Sequence, residues 1–130
     1  MLIFGHRFID SNPFYHISNI EDISHTPPSS TIYLAFEECN LDIITHANNN
    51  DVNMALSVKD ISQLMYASSL KARYIIVHKD MAKTAQNIAE NYLFDAKILV
   101  RIEAENEIEE IALLGIDGVL FTNAVVKITS

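Results

Sequence analysis

Two tripeptides of the same form, Val58-Lys59-Asp60 and His78-Lys79-Asp80, each close an apolar run and open a segment with helical spacing. An aspartate at a helix start accepts free backbone N–H groups and complements the helix dipole. That is the structural reading of Asp60 and Asp80. The functional reading rests on place, because ligands of α/β sheets settle outside the carboxyl ends of the strands. Lys59, His78, Lys79, Glu103, Thr122 and Asn123 all fall at that edge in the strand pattern described next. An imidazole that ends a buried strand, as His78 does, can act as base, ligand or hydrogen-bond donor. Lys59, His78, Lys79, Glu103 and Asn123 are therefore the candidate ligand-binding set.

The elements that must carry these residues are clearest from Met54 onward. Short β-branched runs alternate with helical patterns: 54–58, 61–70, 74–77, 82–93, 98–102, 108–114 and 119–121. This βαβαβαβ order predicts a parallel sheet with crossover helices. Each helix has one apolar stripe at spacings of three and four, such as Ala85, Ile88, Ala89 and Tyr92. Gly115 follows the last helical residue, where a left-handed cap is needed, and Gly118 opens the next strand. The segment "LLGIDGVLF" resembles the αβ turns of (β/α) barrels, and "SSLKARYIIV" resembles a second such turn without its glycine. A full barrel needs about 200 residues or more, so a chain of 130 could supply only part of one.

The first half reads differently. Residues 41–47 and 52–58 are strand-like, and Asn48-Asn49-Asn50-Asp51 between them is turn-like, which predicts a hairpin near 41–58. With Thr31–Phe36 and Leu2–Ile9 as further strand candidates, the expected fold is a single α/β domain over 1–130. Its sheet would be mixed, antiparallel in the N-terminal part and parallel in the C-terminal part. The hairpin register would set Asp42 opposite Ser57. The order strand, hairpin, helix, strand is similar to the βββαβ core of the PD-(D/E)xK nuclease superfamily. That resemblance implies a divalent-metal site with Asp42 as the first acid and Ser57-Val58-Lys59 at the acid-x-Lys, although Ser57 replaces the second carboxylate. A metal-dependent hydrolase or degenerate nuclease-like protein built around Asp42, Ser57 and Lys59 is thus the alternative to a binding module.

Other chemistries lack their residues. With glycines only at 5, 115 and 118, neither G-x-G-x-x-G nor a Walker-type loop exists. His-Glu-x-x-His, Cys-x-x-Cys and G-x-S-x-G are missing too. His6, His16 and His25 are scattered without metal spacing, so no metal site is expected and no cofactor is named. A net charge of −8 provides no basic stripe and argues against nucleic acid. The apolar runs are far too short for a membrane helix, and the start shows no secretory pattern. The lone Cys39 suits a reducing compartment, so the cytoplasm is expected. With no complete catalytic set, the favoured function is a non-catalytic small-ligand-binding or regulatory module using the carboxyl edge of its sheet. The aromatic N-terminal third, with Phe4, Phe8, Phe14, Tyr15 and Tyr33, needs cover, which points to a homodimer contact or to folding back over its own sheet.

Overall fold

The structure, a computed structural model, describes residues 1–128. Its strands are β1 (Leu2–Phe4), β2 (Phe14–His16), β3 (Thr31–Ala35), β4 (Asn53–Ser57), β5 (Tyr74–Val77), β6 (Lys97–Ile102), β7 (Gly118–Phe121) and β8 (Val125–Lys127). Its helices are α1 (Leu41–Asn49), α2 (Ile61–Ser69), α3 (Lys79–Asn91) and α4 (Ile108–Leu113). No helix among the described residues is long and apolar enough to cross a membrane.

The helices start and stop by local chemistry. The Asp60 carboxylate accepts the Gln63 N–H at 2.8 Å, and the Gln63 side chain accepts the Lys59 N–H at 2.8 Å. For α3 the cap is His78, whose Nδ1 lies 3.3 Å from the Asp80 N–H, while Asp80 sits in the first turn. At the C-termini of α1, α2 and α3 the residue after the cap is left-handed: Asp51 (φ 55°), Lys71 (φ 64°) and Leu93 (φ 55°). In each case the next N–H reaches back to close the turn: Val52 to the Ala47 carbonyl, Ala72 to Ala67, and Phe94 to Ala89. Gly115 (φ 75°) holds the same position after α4.

Every strand pairing is parallel, in the order β1-β7-β6-β5-β4-β3-β2-β8. This corrects the expected mixed sheet and removes its antiparallel N-terminal strands. The expected hairpin near 41–58 is instead a helix, α1, followed by β4. Ile43, Ile44 and Ala47 are buried on one side of α1, at the spacing of a helix and not of a strand. The asparagine-rich stretch is the helix stop, and the left-handed tolerance of Asp51 is used there.

The sheet is strongly curled. Phe4 of β1 and Phe14 of β2 stand six strands apart in the order, about 29 Å in a flat sheet at the usual spacing. Their ring centroids are 5.0 Å apart, and both rings lie against Tyr74 of β5 at 5.4 and 5.1 Å. A three-residue turn, Thr122–Ala124, carries the chain from β7 directly into β8, so the strand at one end of the sheet is joined covalently to the neighbour of the strand at the other end. Successive residues then face opposite layers. Tyr33, Ala55, Ile76, Leu99 and Leu120 fill the inside with Phe14, whereas Ile32, Leu34, Met54, Leu56, Ile75, Ile98, Val100 and Val119 pack outward under the helices.

Candidate ligand site at the carboxyl end of the curled sheet

Because all strands run the same way, their carboxyl ends meet at one mouth. The inward alternation places Ser57 two residues beyond Ala55, Arg101 two beyond Leu99, and Thr122 two beyond Leu120. Lateral partners in a parallel sheet share a face, so His16, in register with both Tyr33 and Lys127, is also turned toward the mouth. A cavity of about 410 Å³ opens there, lined by residues of β3 to β6 and of the segments that follow β5 and β6, among them Tyr33, Ser57, His78, Lys79, Arg101 and Glu107.

Arg101 is fixed from two sides. Its Nη1 donates to the Tyr33 hydroxyl at 3.3 Å and its Nε to Thr122 Oγ1 at 3.3 Å. The guanidinium carbon lies 5.6 Å from the Tyr33 ring centroid, and the same ring meets His16 edge-on at 5.7 Å. Burial, then Lys127 and Arg101, push the His16 imidazole below its ordinary value. The rim carboxylates are engaged elsewhere. Glu107 accepts the Glu103 and Ala104 N–H groups at 2.9 and 3.0 Å, which hold it below the usual carboxylate range. Glu105 meets His6 at 2.7 Å, and this hydrogen bond, with the Arg7 charge, lowers it likewise. Glu37 pairs with Lys59 at 3.8 Å, and Glu110 with Lys79 at 3.6 Å.

Of the residues expected at the carboxyl edge, His78 and Lys79 line the cavity. Lys59 stands at the rim, turned to Glu37. The Glu103 backbone serves the local turn, and the Asn123 amide donates to the Gly5 carbonyl at 3.0 Å, tying β1 to the β7–β8 turn. Ser57 lines the cavity too, but the expected pairing with Asp42 is absent. Ser57 is flanked in register by Ala35 and Ile76, and Asp42 is exposed in the first turn of α1. The nuclease-like arrangement of Asp42, Ser57 and Lys59 therefore has no structural basis. Sequence reasoning missed Arg101, His16 and Lys127. Arg101 had a signal, since it interrupts an otherwise apolar strand, "ILVRI", at the parity of the interior. His16 and Lys127 had none, because only the sheet order brings their two short strands together. No protein-family model matches the chain and no curated protein does, so the reading of this site rests on its geometry.

Proposed function

We propose that the protein is a small-molecule-binding module whose ligand sits in the mouth at the carboxyl end of the curled sheet. The observation that carries this reading is the cavity of about 410 Å³ toward which hydroxyl, imidazole and guanidinium groups from separate strands converge. A few placed polar groups on an apolar floor, here Ile76 and Val100, are what small-ligand sites present. The reading is binding without turnover, since Arg101 is held by Tyr33 and Thr122, and His78 caps α3. Screening a panel of small metabolites by ligand-observed NMR against the wild type and Ser57→Phe tests it. Hits that disappear when the phenyl ring fills the mouth support the proposal. A panel without hits, or hits indifferent to Ser57→Phe, contradicts it.

Self-association has its own observation. Phe8 is 75% exposed and Ile9 47%, beside an apolar hollow of about 620 Å³ between β1 and α4. Its rim carries both signs, Arg7 with Glu105 and Glu109, so two copies can meet across a two-fold axis with opposite charges facing. Light scattering at micromolar concentration is expected to give twice the chain mass, reduced to one by Phe8→Asp. A wild-type mass near 14.6 kDa removes this proposal.

A further inference from the structure

The mouth contains a charge arrangement opposite to that of the chain. The protein carries a net −8, yet no carboxylate of the described residues lies within ion-pair distance of Arg101 or Lys127. Lys127 on β8 is the register partner of His16, and Arg101 on β6, which lines the cavity, bonds the Tyr33 hydroxyl whose ring meets that imidazole; both cations push the imidazole below its ordinary value. The remaining group against that imidazole is the Tyr33 ring from β3, whose hydroxyl accepts from Arg101. Cations gathered without counter-charge repel one another, and folding gains nothing from bringing them together. Lys59 and Lys79, on the same rim, show the contrast, since each has a glutamate at 3.8 and 3.6 Å.

We infer that Arg101, Lys127 and His16 form an oxyanion-binding subsite, so that the ligand of the mouth is a small molecule with a compact anionic group, phosphate monoester or carboxylate. The inference deepens the binding reading above and rests on it for the remainder of the ligand. Arg101 supplies the directed donors. Its Nε and one Nη1 proton point to Thr122 and Tyr33, and the remaining N–H groups of the fork are free for oxygen atoms of the ligand. Lys127 supplies a mobile charge from across the sheet junction, and His16 contributes a donor that becomes a third cation when protonated. The hydroxyl of Ser57 and the apolar floor are left for the uncharged part of the ligand, while the Thr122 hydroxyl is taken up by Arg101 and the Ile102 carbonyl.

Calorimetry at low ionic strength tests the inference with four probes: inorganic phosphate, malonate, glycerol 3-phosphate and glycerol. Phosphate is expected to bind the wild type, more tightly at pH 6 than at pH 8. Arg101→Met and Lys127→Met should each weaken it by about tenfold, the usual consequence of losing one hydrogen bond to a charged group. Glycerol 3-phosphate above glycerol identifies a phosphate ligand, and malonate above phosphate identifies a carboxylate; both support the oxyanion subsite. Equal binding of glycerol and glycerol 3-phosphate, phosphate binding unchanged in Arg101→Met, or no heat with any anion overturns it. The two readings fail separately. Phosphate binding that survives Ser57→Phe, with no hits in the metabolite panel, upholds the subsite and not the cavity. Neutral hits indifferent to Arg101 do the reverse.

Discussion

The two ends of the curled sheet are built from different materials. At the amino end Phe4, Phe14 and Tyr74 meet ring to ring, and the hollow directly against these rings, beside Asn12, Ser30 and Arg73, is only about 150 Å³, while a separate hollow of about 620 Å³ lies outside the rings among the turns from α2 to β5 and from α3 to β6. At the carboxyl end the inward positions are Ser57, Arg101, Thr122 and His16, and the hollow is nearly three times as large as the one against the rings. One end has given its interior to packing, the other to polar groups that packing does not consume. The difference is one of packing along the strand direction, and the binding proposal assigns stability to the amino end and recognition to the carboxyl end, the polarity that parallel barrels show.

Substitutions that separate the two ends should show it, and the largest effect belongs to the aromatic plug. Phe14→Ala removes a ring that is 2% exposed and should cost about 3–5 kcal/mol in urea unfolding. Arg101→Met, at the other end, should stay within about 0.5 kcal/mol, as exposed substitutions do. Equal costs at the two ends would dissolve the comparison. Next in size is Gly118→Ala, at the start of β7. A Cβ there would lie 2.6 Å from the Leu2 carbonyl oxygen and 2.8 Å from Leu99 Cδ2. Parting β1 from β7 should cost about 1–3 kcal/mol, with the amides of β1 losing hydrogen-exchange protection first.

Leu93→Gly should act in the opposite direction. Leu93 is 85% exposed and left-handed, so its side chain contributes little packing to set against its backbone strain. Removing that strain, about 1–2 kcal/mol, outweighs the added chain entropy of glycine, about 0.5–1 kcal/mol. A modest rise in Tm is expected, and a fall would mean that Leu93 is covered by a partner. The smallest effect is on pH dependence. The His16 imidazole is depressed in the fold relative to its ordinary 6.5, so below that pH the unfolded chain takes up a proton that the folded chain resists. Its contribution to stability is present above about pH 6.5 and is lost as pH falls toward the folded value. His16→Gln should flatten that part of the stability profile.

How far the sequence foretold this molecule depends on the element. From residue 53 to 121 strand and helix periods alternate plainly, and even the glycine-free turn at Lys71 was readable as a helix stop. The segment 41–49 was not, because Ile43, Ile44 and Thr45 are β-branched and the following asparagines suit a hairpin as well as a helix end. Tertiary burial of Ile43, Ile44 and Ala47 on one face decides for the helix. At the site, His78 and Lys79 could be placed because they directly follow a recognisable strand, whereas Ser57, expected opposite Asp42 in a hairpin, ends the parallel strand β4 beside Ala35 and Ile76. His16 and Lys127 lie on three-residue strands whose pairing depends on the curl of the whole sheet, which no local pattern encodes.

The most direct test of the mouth as an anion site is the titration of the His16 imidazole, followed by NMR with and without inorganic phosphate. An anion held between Arg101 and Lys127 offsets the charges that depress this group. The midpoint should therefore start below 6.5 and move upward as phosphate saturates the site. His6, His25 and His46, which do not line the mouth, serve as internal references. A His16 midpoint that stays where it was at saturating phosphate, or that moves only in step with these three, would contradict the account.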